Sequence, residues 1–220
     1  MTGTKIYQYG YFALMSALVI WGCSKTEKSY YQNGQLKSEI QKNGGKYNGP
    51  ATWYYASGVK QQESFFRNDT LQGTSTRWYS NGKVHMIENY RDNLRQGTVK
   101  TFDINGFIVS EENYHLDTLD GPYNKFYTSG QPQVEGTYYK GMYDGRWIYY
   151  EDDGTIVGIG EFEKGTGTQK SWYRDGTLQR VINYKNNEKN GRETWYDAKG
   201  NVVKIITYKD GQVISTEDFN

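Results

Sequence analysis

A glycine that returns at a fixed interval constrains this chain more than any other feature. It stands at Gly34, Gly58, Gly82, Gly106, Gly130, Gly154, Gly176 and Gly200, with spacings of 24, 24, 24, 24, 24, 22 and 24 residues. A period of this length marks an array of stacked supersecondary units rather than a single wound core. Other residues keep step with it. The position four before the glycine is always aromatic: Tyr30, Tyr54, Trp78, Phe102, Phe126, Tyr150, Trp172, Tyr196. The position eight after it is aromatic at Phe66, Tyr90, Tyr114, Tyr138, Phe162, Tyr184 and Tyr208, and Lys42 in the first unit. A second glycine follows fifteen after the first in most units, and in the short unit it moves to Gly167, so the deletion lies between the two glycines.

Each unit reads as a β-hairpin. One strand follows the glycine, as in Lys83–Arg91; a polar turn spans Arg91 to Gly97; a second strand, Thr98–Phe102, leads to the next glycine. The Asn-Gly, Ser-Gly and Asp-Gly pairs supply the positive φ that tight turns need. Positions two and eight after the glycine differ by an even number, so a regular strand puts both on one face, with the aromatic at minus four paired across the turn. The expected fold class is all-β: an elongated, twisted antiparallel meander of about eight 24-residue hairpins and about sixteen strands. The polar Thr216-Glu217-Asp218 is expected to guard the C-terminal edge.

The residues Trp78–Gly97 and Trp172–Gly191 carry the pattern most fully. In them the array over about 30–215 resembles MORN-repeat variants, and chains of this type are similar to the YwqK-like antitoxin family. The resemblance implies a β-hairpin array and a role in protein or lipid interaction; the antitoxin label carries no residue signature. The chain departs from the shorter, more glycine-rich eukaryotic MORN pattern, so phosphoinositide binding is not carried over.

Charge is balanced, with 26 basic and 25 acidic residues. A nucleic-acid partner, which needs an excess of Lys and Arg, is therefore not expected. Residues 1–22 read as a signal peptide, with Lys5 ahead of the apolar run Tyr11 to Ile20. Ile20-Trp21-Gly22-Cys23 resembles a bacterial lipobox, with Trp21 where a small residue is usual. Cys23 is the single cysteine and the expected site of lipidation, followed by a polar tether over 23–29 and the repeat array over 30–220. The chain is thus expected at the cell envelope as a membrane-anchored lipoprotein.

No catalytic constellation is visible. His85 and His115 occupy different registers, and no HExxH, CxxC or Gly-x-Ser-x-Gly is present. No metal or cofactor is expected. Glu151-Asp152-Asp153-Gly154 could suggest calcium, but it falls where other units have a turn and reads as that turn with one residue inserted. Aromatics outside the fixed registers are the candidate binding residues, because the array does not require them: Tyr79, Tyr139, Tyr143, Trp147 and Tyr149. Tyr79 stands at a register that also accepts Asp103, Glu151 and Asp197, which marks it as dispensable to the fold. The expectation is a non-enzymatic protein-interaction scaffold with an unidentified protein partner; glycan binding through exposed rings and antitoxin-like neutralisation of a partner are the alternatives.

Overall fold

The computed structural model describes residues 24–219. Cys23 and the leader lie outside the described residues. The described chain is all-β. Its strands are β1 (Lys25–Tyr30), β2 (Leu36–Asn43), β3 (Lys46–Tyr54), β4 (Lys60–Arg67), β5 (Thr70–Trp78) and β6 (Val84–Arg91). Next come β7 (Leu94–Arg95), β8 (Gly97–Phe102), β9 (Ile108–His115), β10 (Thr118–Phe126), β11 (Pro132–Tyr139) and β12 (Met142–Tyr150). The array ends with β13 (Ile156–Glu163), β14 (Thr166–Trp172), β15 (Leu178–Lys185), β16 (Glu188–Tyr196), β17 (Val202–Lys209) and β18 (Gln212–Asp218). The strands form one 18-stranded antiparallel sheet in which each pairs with its chain neighbours, except that β7 and β8 together form the single returning strand that lies against β6. β1 pairs only with β2 and β18 only with β17, so the meander stays open.

Residues 25–29, expected as a tether, belong to β1. Their pairing with β2 has physical cause in cross-strand partners: Lys42 Nζ meets Glu27 at 2.8 Å, Lys28 Nζ meets Glu39 at 3.1 Å, and the Ser29 and Ser38 hydroxyls lie 2.7 Å apart.

The polar turn is tighter than its sequence suggests. Instead of seven residues from Arg91 to Gly97, two suffice: Asp92 (φ 54°) and Asn93 (φ 68°). The same left-handed pair recurs at Asn68-Asp69, Leu116-Asp117 and Asn186-Asn187, the conformation of a two-residue hairpin turn. Leu116 is the misfit. A branched aliphatic at φ 50° is strained and 49% of it is exposed, so nothing offsets the strain. Leu116→Asn is expected to stabilise the protein by about 1 kcal/mol, read as a raised midpoint in urea unfolding with unchanged slope.

The second glycine therefore lies within the returning strand. At Gly73 (φ 67°) the register moves from Phe65↔Gln72 to Glu63↔Thr76, a bulge of two extra residues. The short unit lacks this bulge: β13 and β14 pair without a shift from Gly158↔Ser171 to Glu163↔Thr166. The two deleted residues are the two residues of the bulge.

A second, single-residue bulge follows every glycine turn. The aromatic at minus four does pair with the residue at plus two, from Tyr30↔Leu36 to Tyr196↔Val202. The preceding residue, however, pairs at plus four, as in Trp53↔Gln62. One extra residue at plus three inverts the alternation. The two aromatic registers, expected on one face, are therefore on opposite faces.

The inner face is the one that carries the plus-eight rings. Its most buried positions are six after the glycine and seven before the next one: Ile40, Ala51, Ser64, Ser75, Glu88, Val99, Trp147, Ile182 and Glu193. Cross-strand pairs such as Ala51↔Ser64, Ser75↔Glu88 and Trp147↔Gly160 join these positions into a column across the sheet. The column is mixed in character, with buried serines bonded to each other (Ser64 and Ser75 hydroxyls, 2.8 Å) and buried carboxylates held by cations. Glu88 accepts from Arg77 Nη2 at 2.5 Å.

Both ends of the hairpins are laced. At the tight turns, Asp69, Asn93 and Asp117 donate backbone N–H to the carbonyls of Tyr47, Leu71 and Arg95 at 2.8, 3.0 and 3.1 Å. At the glycine turns, Tyr hydroxyls donate to the next unit's backbone: Tyr31 to Tyr54, Tyr55 to Trp78, Tyr79 to Phe102, Tyr127 to Tyr150 and Tyr173 to Tyr196, at 2.6 to 2.9 Å.

Candidate functional site

The five rings singled out in the sequence separate into three environments. Tyr79 is part of the lacing. Its hydroxyl donates to Phe102 O at 2.9 Å and its ring lies 4.5 Å from that of His85. It is not dispensable to the fold. Where the register carries Asp103 or Asp197, the carboxylate instead accepts backbone N–H groups of its own turn, from Asn105 and Phe107 or from Lys199 and Asn201. Tolerance at that position reflects two solutions to one turn. Tyr79→Phe is expected to cost about 1 kcal/mol, measurable by thermal unfolding.

Tyr139 stays on the surface, 41% exposed, with Lys140 Nζ 5.2 Å from its ring centre.

Tyr143, Trp147 and Tyr149 come together on the inner face, with the plus-eight rings and opposite the minus-four rings. Trp147 is only 3% exposed. Its ring centre lies 5.0 Å from Tyr138, 4.7 Å from Tyr143 and 5.5 Å from Tyr123, and its indole N–H donates to Thr137 O at 3.1 Å. Tyr143 continues the cluster to Phe162 at 5.2 Å and Tyr184 at 6.3 Å. Glycine makes this packing possible. A Cβ on Gly136 would lie 2.2 Å from the Trp147 ring, and one on Gly160 would lie 2.3 Å from the Phe162 ring. Burial, reinforced by the neighbouring Tyr143 hydroxyl, raises the Tyr138 and Tyr149 phenols well above their ordinary value.

Beside this cluster, over the short unit, is a cleft of about 380 Å³. Tyr149, Gly158, Gln169, Ser171, Gln179 and Arg180 line it, with Glu151 and Arg174 also contributing. It opens here because Gly158 puts no side chain where neighbouring units carry Val134 or Arg180. The Arg180 guanidinium stacks on Trp195 at 4.6 Å, and its Nη1 lies 3.6 Å from Glu193 Oε1. Glu193 is 1% exposed and bonds more closely to Lys189 Nζ, at 2.7 Å. Arg180 Nε is buried without a partner. A second cleft, about 460 Å³, lies on the other face of the same strands, where Ile159, Thr168 and Lys170 alternate with the residues of the first.

The sequence reading passed over Gln169, Ser171, Gln179 and Arg180. The signal that marks them is the 22-residue spacing together with the paired glycines Gly158 and Gly160, which locate the one unit with a different inner surface.

The remaining polar groups serve the fold. The Glu151 segment forms the same five-residue turn as Tyr79 to Lys83, with Glu151 N–H donating to Thr155 O at 2.9 Å, so no residue is inserted. Asp153 accepts from Thr155 N–H at 3.0 Å, and Arg174 binds its other oxygen. His115 Nδ1 lies 3.3 Å from Gln96 Nε2, far along the chain from His85. Among the described residues no group of three His, Cys, Asp or Glu side chains is gathered for a metal.

Two phenols give a pH prediction. Burial, and then the bond its hydroxyl donates to Glu112 at 2.7 Å, push Tyr114 up to about 12. The bond to Glu135 at 2.6 Å, and then burial, push Tyr150 up to about 12. An unfolded tyrosine titrates near 10. Between about 10 and 12 the unfolded chain has lost these protons and the folded one has kept them, so stability falls as pH rises through that window. Urea midpoints should be flat below about pH 10 and decline above it; Tyr114→Phe should reduce the decline.

No curated protein matches the chain. A family model described as the MORN repeat variant matches residues 25–41, 47–68, 71–92, 119–140, 166–186 and 189–210, more than half of the chain. The matched segments follow the hairpin repeat seen in the sheet, and the chain belongs to the MORN repeat variant family.

Proposed function

We propose that the protein is a non-enzymatic binding scaffold, held at the cell envelope through Cys23, that presents its repeat sheet to a protein partner. The observation that carries this is the single layer. Eighteen strands form one sheet, and the only large apolar side chains buried among the described residues are Ile40, Val99, Trp147, Phe162 and Ile182. Among the described residues no second layer covers either face, so the exposed and half-buried rings and charges of both faces remain within reach of a partner. Repeat arrays of this kind use such long surfaces for binding. Anchoring rests on the lipobox-like residues ahead of Cys23. The test is affinity capture from solubilised envelope with the full chain as bait, followed by reciprocal capture with the retained protein. Retention of one stoichiometric partner in both directions is expected; nothing above a bait-free control overturns the scaffold reading. Labelling with a palmitate analogue checks the anchor, which fails if label persists in Cys23→Ala.

A further inference from the structure

The geometry points to a small-ligand site in the inner cleft over Gly158, one that takes a saccharide ring bearing a carboxylate. This site goes beyond protein capture and stands or falls separately from it.

Position comes first. The cleft lies at the one unit where the bulge is deleted, where β13 and β14 pair without a shift. A regular array has no use for this irregularity, and its cost is paired glycines in mid-strand, where glycine weakens a sheet. Its volume of about 380 Å³ falls within the roughly 300–1,000 Å³ of small-molecule sites.

The lining then selects the ligand. The Tyr149 ring lies over Gly158, whose added Cβ would sit 3.2 Å from it, so an aromatic side and a bare backbone floor adjoin. Gln169 Oε1 already accepts from the Tyr184 hydroxyl at 3.1 Å, and Gln179 Oε1 from the Ser171 hydroxyl at 3.4 Å. Each amide thus has its oxygen engaged and keeps its N–H donors for another partner. Arg180 adds further donors. The site is thus rich in donors and wants acceptors. Arg180 is the underused cation of the lining, because it shares Glu193 with a closer Lys189 and its Nε has no partner, whereas the Glu151 carboxylate stands exposed at the glycine turn. Arg174 is already bound by Asp153. Val157 is the one aliphatic side chain in the lining, and its other apolar surface is aromatic, from Tyr149, Trp172 and Tyr173, which suits a ring face better than an aliphatic peptide side chain. A pyranose meets these demands: a flat face for Tyr149, hydroxyls for the two amides, and a carboxylate for Arg180.

Saturation-transfer NMR on the full chain tests this with glucuronic acid, glucose, acetate and triglycine as probes. Glucuronic acid is expected to bind most tightly and glucose more weakly. Arg180→Gln should weaken glucuronic acid about tenfold and change glucose little. Gly158→Ala should weaken both sugars by filling the floor. Gln179→Ala, at a partly exposed position, should weaken glucuronic acid several-fold and serves if the other variants fail to fold. The proposal is overturned if neither sugar shows transfer, if acetate or triglycine binds as well as glucuronic acid, or if the folded variants bind it like the parent.

Discussion

Replacing Trp147 with alanine is expected to cost about 3–5 kcal/mol, the range for removing a buried tryptophan. The indole is 3% exposed and touches Tyr123, Tyr138 and Tyr143. Its N–H bond to Thr137 O is lost as well. The void cannot collapse easily, because Gly136 and Gly160 flank it and neither has a side chain to lean inward. Stability in a one-layer array is a sum over neighbouring units, so the damage should be local. The expected guanidinium unfolding curve for Trp147→Ala therefore splits into two phases, with the β1–β10 and β14–β18 portions no longer coupled. The converse change, Gly136→Ile, should be as harmful alone, since its Cβ would enter the ring. Combined, Gly136→Ile and Trp147→Ala should recover part of the loss, because the pair would then match the Ile40↔Ala51 pair elsewhere in the column. A single transition shifted by less than about 1 kcal/mol would show that Trp147 is not the joint between the two halves.

The second large effect is expected at Lys189. Its ammonium lies 2.7 Å from Glu193, a carboxylate 1% exposed in the inner column, while Arg180 stands off at 3.6 Å. Lys189→Met leaves that charge buried with only the longer contact, at a cost of about 3 kcal/mol at neutral pH. Much of this comes from the stranded carboxylate and little from the lost attraction. Lys189→Met combined with Glu193→Leu should therefore be more stable than Lys189→Met alone, leaving Arg180 to be solvated through its exposed portion. Urea denaturation of the two variants decides the matter; if the double variant is the less stable, the pair contributes through attraction and not through balancing a buried charge. The Lys189 ammonium has a raised pKa although burial works against it, owing to the bond it donates to Glu193. Its stabilising share is complete below the unfolded lysine value near 10.4 and is lost as pH rises through the folded one.

The repeat period fixed where hairpins begin and end, because glycine turns impose positive φ that few other residues tolerate. The pairing of minus four with plus two holds at all eight turns for the same reason. What the period could not reveal is parity. A bulge at plus three has no residue signature, yet it moves Tyr90 to the face opposite Trp78. Trp147 and Tyr143 looked spare because they are aromatic in few units, whereas their burial depends on Gly136 and Gly160 two strands apart. Tyr79 looked spare because aspartate replaces it elsewhere, whereas its hydroxyl reaches a carbonyl 23 residues on.

The sequence by itself determined an all-β hairpin array, its unit length, its glycine turns and the place of its one irregular unit. These follow from local backbone chemistry repeated at a fixed interval. The tertiary structure decided which face each ring occupies, which carboxylates are buried with cations, and that deleting a bulge opens a cleft. Those outcomes depend on contacts between strands, and one extra residue in a strand is enough to reverse them.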